Sequence, residues 1–150
     1  MVIEKTLVLI KPDAMQRSLS GEIISRFEKT GLKIIAMKMS RASSELAQKH
    51  YHLDEEWTKK VYQKNKEVCE KEGRKPAYPD YMELGKAIQS FNMSFLQEGP
   101  VIALVLEGPH AIEIVRKMVG HTEPKQALPG TIRGDFASPE SYALADAKKE

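Results

Sequence analysis

Apolar positions along the chain switch repeatedly between two periods. "KTLVLI", residues 5–10, is a short apolar, β-branched run and reads as a buried strand that ends at Lys11, Pro12 and Asp13. In "SGEIISRFEKTG", Ser20 is placed to cap a helix, Ile24 and Phe27 share one face with Gly31, and Gly31 can close it. "LKIIAMKMSRA" alternates as a second strand, and "SSELAQKHYH" reads as a short helix capped by Ser43 or Ser44. "DEEWTKKVYQKNKEVCEKEG" sets Trp57, Val61 and Val68 at helical spacing among lysines and glutamates, the pattern of a surface helix with one narrow apolar stripe. After "RKPAYP", Asp80 and Glu83 have capping-box spacing, and Tyr81, Leu84, Ile88, Phe91 and Phe95 repeat at three and four residues. "GPVIALVLEG" is a third strand. Pro109 is expected to open a helix running through Val115 to Val119, which Gly120 ends, and His121 to Phe136 reads as a loop punctuated by Pro and Gly.

The order is strand, helix, strand, helix, a two-helix elaboration, strand, helix and long loop, which is most of a split βαβ pattern in an α+β fold. "TLVLI" and "VIALVL" are apolar at consecutive positions, which asks for cover on both faces of the sheet. Helices on one side of a two-layer fold cover only one. A subunit interface would cover the other, and so would the long helical elaboration.

Composition narrows the function. A chain of 150 residues fits one domain. Its 23 basic and 21 acidic residues leave a formal charge of +2, so any anionic ligand must be recognised locally and not by bulk charge. No platform of interleaved aromatic and basic residues favours nucleic acid. The one cysteine, Cys69, excludes an internal disulfide and a Cys-based zinc cluster, and fits a reducing compartment. No apolar run approaches the roughly 20 residues that cross a bilayer. "MVIEKTLVLIKP" is not a secretory signal, so the expectation is a soluble, cytoplasmic protein.

Two separated clusters carry the candidate chemistry. Lys11 is a point charge just past a rigid strand, suited to a phosphate, although a snorkelling surface lysine is the commoner case. More than a hundred residues on, "IVRKMVGHTEPKQALPGTIRGDF" holds Arg116 on a helix, Thr122 just past its end and Arg133 in a Gly-flanked loop. Two guanidinium forks, a hydroxyl and an ammonium would together hold a di- or triphosphate. Structural alternatives stand beside each: Arg116 paired with a helix carboxylate such as Glu113, Thr122 as a turn residue, and Gly134 needed only for backbone geometry.

In order, "TLVLIKPDA", "GEIISRFEKTGLKIIAMKM", "HYHL", "GPVIALVLEG", "VRKMVGHTEP" and "PGTIRGDF" resemble the sequences of nucleoside diphosphate kinases. The likeness covers nearly everything except residues 54–97. It implies a ferredoxin-like βαββαβ sandwich in a single domain over 1–150, with a helical insertion at about 54–97 and assembly as a tetramer or hexamer. It implies ping-pong transfer of a γ-phosphoryl group between nucleoside triphosphates such as ATP and nucleoside diphosphates, through a phosphohistidine, with Mg2+ on the phosphates. Lys11, Arg116, Thr122 and Arg133 would contact phosphate and Tyr51 would lie beside the active site, although Tyr51 equally suits a packing ring at a helix end. Asp13 reads as a structural turn residue.

In the family, the "GTIRGDF" loop is followed by a strand bearing "N-x-x-H-x-S-D", whose histidine is the nucleophile. The residues here run on to "ASPESYALADAKKE" and do not contain that motif, so no catalytic residue is assigned. Of the histidines present, only His121 is expected near phosphate, and a loop without a rigid strand does not orient a nucleophile. His50 and His52 lack a third metal ligand in view, so no metal ligands are assigned. The family's final strand pairs with its first, so the edge of "TLVLI" would be left open here. The expectation is therefore a chain lacking the C-terminal segment, with "ADAKKE" beginning a connecting helix or loop. A catalytically inactive nucleotide-binding or regulatory module is the alternative. The elaboration at 54–97 reads as a structural cover, an enlarged subunit contact or a lid.

Overall fold

Among the described residues three strands pair antiparallel in the order β1-β3-β2: β1 (Ile3–Ile10), β2 (Lys33–Ser40) and β3 (Val101–Pro109). The computed structural model describes residues 2–137. Val8 pairs with Leu104 and Ile10 with Ile102, so the period of two puts their side chains on one face together with Leu106, all buried. Helix α1 (Pro12–Gln16) follows β1, and α2 (Ser20–Glu28) then adds Ile23 and Phe27 to that core. From the far end of the chain, α6 (Ala111–Val119) adds Ala111 and Val115. The arrangement is the ferredoxin-like α+β fold expected. Leu7, on the opposite face, is 57 % exposed, so part of the apolar surface that asks for cover meets solvent.

Several local readings are corrected. Lys11, Pro12 and Asp13 begin a helix: Lys11 occupies the cap position with extended backbone and Pro12 the first helical turn, where its missing N–H costs nothing. Ser20 is the first residue of α2 and Leu19 its cap. Pro109 stays in β3, and α6 starts at Ala111 after His110, which adopts φ 54°. The cap comes from across the sheet, where a Glu4 carboxylate oxygen on β1 accepts the Ile112 N–H at 3.1 Å. The segment from His121 to Phe136 contains a 3-10 turn at Pro124–Gln126 and helix α7 (Ile132–Phe136). The reading of "ADAKKE" falls at 145–150, outside the described residues.

The chain divides into two compact units, one holding the sheet with α1, α2, α6 and α7, the other running over Ala42–Glu98. The second unit contains α3 (Ser44–His50), α4 (Glu55–Lys71) and α5 (Tyr81–Gln97). Each begins on a side-chain cap: Ser43 accepts from Leu46 N–H, Asp54 from Trp57 N–H, and Asp80 from both Met82 and Glu83 N–H. The buried stripe of α4 does not run through Trp57 and Val68, which are exposed, but through Thr58 and Cys69. Gly85 explains the rotation. A Cβ there would stand 2.4 Å from Thr58 Cγ2, so the glycine makes a slot that Thr58 fills. On α5 the fully buried positions are correspondingly Leu84, Gly85 and Leu96, while Phe91 is exposed.

Candidate functional site

Lys11, Arg116, Thr122 and Arg133 belong to the sheet-bearing unit, and Tyr51 to the helical unit. Lys11 follows Ile10, which is 2 % exposed, and its carbonyl accepts the Met15 N–H at 3.1 Å. Its backbone is therefore fixed by a core strand on one side and a helix on the other. Arg116 is exposed near the end of α6. Glu113, its alternative partner, pairs with Lys117 one turn on at 2.6 Å, and that ammonium holds the Glu113 carboxyl below its usual range. Thr122 is exposed two residues beyond the helix-ending Gly120.

Gly120 is the junction of the site. Its N–H donates to the Arg116 carbonyl at 3.1 Å, and its own carbonyl accepts from Arg133 Nη1 at 3.0 Å. Backbone φ there is +86°, and a Cβ would stand 2.5 Å from Thr131 Oγ1, so glycine meets two requirements at one position. The end of α6 and the segment carrying Arg133 are brought together, with Thr122 between them in sequence.

Arg133 lies on α7, whose five residues are too few to be stable alone. Thr131 caps it, accepting the Gly134 N–H at 3.0 Å while donating its hydroxyl to the Leu128 carbonyl at 2.6 Å. Gly134 does not have positive φ. A Cβ at Gly134 would fall 2.0 Å from the Leu128 carbonyl oxygen, so the residue is small because the chain crosses itself there. Ile132 is buried in the main core.

The remaining fastener is Asp135. One carboxylate oxygen accepts the Gly130 N–H at 2.7 Å and the other accepts from Arg26 Nη1 at 2.7 Å, and together these hold its carboxyl below the usual range. Arg26 also lies over the Phe136 ring, 4.4 Å from its centroid. Sequence reasoning missed Arg26. Within "ISRFEK" it is an ordinary helix residue one turn from Glu22, and its partners are more than a hundred positions away.

Helices α1 and α7 also meet. Asp13 from the first, Arg17 just past its end, and Ile132, Arg133 and Phe136 from the second line a cavity of about 90 Å³, and Arg17 donates to the Phe136 carbonyl. Ligand pockets hold roughly 300–1,000 Å³, so this space is a seam between helices and not a nucleotide pocket. It nonetheless sets the helix that follows Lys11 against the helix that carries Arg133.

His121 Nδ1 lies 3.1 Å from the Glu123 backbone nitrogen and 3.4 Å from the Glu123 carbonyl oxygen, which engages that ring nitrogen in a local turn. His110 occupies the position before α6 in a left-handed conformation without a side-chain cap bond, and His50 packs edge-on against Tyr51 with centroids 4.7 Å apart. Tyr51 ends α3, half-buried, its carbonyl accepting from Gln89 Nε2 at 2.7 Å. Among the described residues no three His, Cys, Asp or Glu side chains are grouped to hold a metal ion, and no helix is long and apolar enough to cross a membrane.

A family model described as nucleoside diphosphate kinase matches residues 4–73 and 81–144. The chain is 46 % identical over 141 residues to the nucleoside diphosphate kinase of Pyrobaculum aerophilum, covering 91 % of this chain and 77 % of that protein. To a nucleoside diphosphate kinase of Thermus thermophilus it is 41 % identical over 155 residues, covering 99 % and 92 %. The crystal structure of an NDP kinase from Pyrobaculum aerophilum superposes with a TM-score of 0.89 at 42 % identity, covering 99 % of this chain and 84 % of that one. A transition-state mimic of the Borrelia burgdorferi nucleoside-diphosphate kinase with bound vanadate and ADP superposes with a TM-score of 0.74 at 37 % identity, covering 99 % and 74 %.

Proposed function

The chain belongs to the nucleoside diphosphate kinase family, enzymes that transfer a γ-phosphoryl group from a nucleoside triphosphate to a nucleoside diphosphate, and we propose that its Lys11, Arg116, Thr122 and Arg133 hold the nucleotide's phosphates. The observation that carries this reading is the Arg133 bond to the Gly120 carbonyl. It holds the guanidinium of α7 at the end of the helix that bears Arg116 and leads into Thr122. Donors fixed before the reaction stabilise charge that moves between phosphate oxygens without reorganising at the moment of transfer. Tyr51 joins this set by family resemblance alone.

The groups at the Gly120 junction are cationic or hydroxylic, chemistry that fits phosphate oxygens and not a divalent ion directly. Mg2+ accordingly enters on the phosphates of ATP or another nucleotide, whose negative charge it neutralises when bound. The phosphohistidine is assigned to the family's "N-x-x-H-x-S-D" segment and to none of His50, His52, His110 and His121. The engagement of His121 Nδ1 in a local turn with Glu123 supports this. A homo-oligomer, tetramer or hexamer, is proposed as cover for the exposed Leu7 face, and a cytoplasmic location fits the single unpaired Cys69.

Incubation with γ-labelled ATP and magnesium, followed by mapping of acid-labile label and a chase with GDP, tests the reading. Bound nucleotide with no label on those four histidines is expected. Label on any of them overturns the nucleophile assignment, and no nucleotide binding overturns the phosphate cradle.

A further inference from the structure

We propose that Arg26 is a positioning residue for phosphate binding, fixing through Asp135 the short helix that aims Arg133. The inference rests on the reading that Arg133 contacts phosphate. Arg26 sits on α2 beside Phe27, which is fully buried in the core, so its backbone is part of the rigid body of the sheet-bearing unit. From there it touches the 130–136 segment three times: at Asp135 Oδ2 (2.7 Å), at the Gly130 carbonyl (3.4 Å) and on the Phe136 ring (4.4 Å). Asp135 passes the restraint on, because its second oxygen closes the turn onto the Gly130 N–H at 2.7 Å. The carboxylate makes the segment a ring and the guanidinium ties that ring to α2.

The segment needs such a tie. Helix α7 has five residues and one buried side chain, Ile132, so little of its order is its own. Its position decides where Arg133 points, and a misplacement of about 1 Å at a charged binding group has a large effect on a ligand held by directional bonds. Arg26 is itself ill-suited to hold a phosphate. Two carboxylates flank it, Asp135 at 2.7 Å and Glu22 at 3.3 Å, so its charge is already compensated by the protein. Its chemistry is that of a fork gripping a carboxylate while its plane rests on an aromatic ring.

The test is a double-mutant cycle on ADP binding in the presence of magnesium, with melting temperature measured in parallel. Arg26→Ala is expected to weaken ADP about three- to tenfold. Arg26→Lys, which restores the charge but not the fork, should recover part of the loss. In an Arg133→Ala background, Arg26→Ala should have no further effect on ADP, because the group it aims is gone. Equal weakening in both backgrounds would mean a general structural role and overturn the proposal, as would unchanged affinity in Arg26→Ala when Arg133→Ala binds poorly. Wild-type affinity in Arg133→Ala alone would instead overturn the phosphate assignment of Arg133, and the proposal with it. Should Arg26→Ala not fold, Asp135→Asn, which removes the charge at nearly constant volume, carries the same cycle with the same criteria.

Discussion

Gly120 lies against Thr131 with no room for a side chain between them. A Cβ built on Gly120 would stand 2.5 Å from the Thr131 hydroxyl oxygen and 2.8 Å from its Cβ. Thr131 cannot retreat, because its hydroxyl is committed both to the Leu128 carbonyl and to the cap of α7. Gly120→Ala is therefore expected to cost about 1–3 kcal/mol, combining strain at positive φ with this contact. Urea unfolding of the purified variant checks it, and ADP affinity should fall as well, since the same contact positions Arg133.

Lys11 is expected to separate binding from stability. Its backbone is fixed by the pairing of Ile10 with Ile102 and by the Met15 N–H bond to its carbonyl, which do not involve the side chain. Lys11→Ala should weaken ADP roughly tenfold or more, the loss of one charge-assisted bond, with the protein still folded. Unchanged ADP affinity by calorimetry would remove Lys11 from the site.

The Asp135 carboxyl titrates below its ordinary range because the Gly130 N–H and the Arg26 guanidinium favour the charged form. A folded value below the unfolded one means its contribution is fully present above about pH 4 and is lost as pH falls through the native value. The melting-temperature difference between wild type and Asp135→Asn should therefore be largest near neutrality and shrink as pH falls toward about 2. A difference that stayed constant across that range would mean that the carboxylate does not hold the loop through its charge.

In the helical unit, Gly85→Ala should be destabilising despite the better helix propensity of alanine. The new methyl would meet Thr58 Cγ2 at 2.4 Å, and Thr58 is 1 % exposed, with its hydroxyl bonded back to the Asp54 carbonyl. Overpacking of this kind costs about 1–3 kcal/mol, more than the roughly 1 kcal/mol gained in propensity. Amide exchange should accelerate in α4 and α5. Slower exchange would show that Thr58 simply moves aside.

What was legible in the sequence follows the range of the interactions. Val8, Ile10, Ile102 and Leu104 were readable as buried-strand residues because a short run of consecutive apolar side chains is written locally. Arg116 and Arg133 were readable as candidates because their residue types match phosphate. Helices α1 and α7, five residues each, are shorter than the window in which periodicity can be seen. The apolar stripe of α4 was displaced by one position because Gly85, on another helix, decides which residue fits. Glu4 as the cap of α6 and Arg26 as the clamp on Asp135 span 108 and 109 positions, and no local pattern announces either.

The pairing of β1 with β3 also has a consequence for the order in which the chain folds. Ile10 meets Ile102 only after everything between them has been gathered into a closed loop, and that closure is costly before its contacts form. Within the same stretch, α4 and α5 pack on each other through contacts much closer in sequence. Low contact order favours early formation, so pulse-labelled hydrogen exchange should find amides of α4 and α5 protected before those of β1. Simultaneous protection would mean that the helical hairpin has no stability until the sheet has closed.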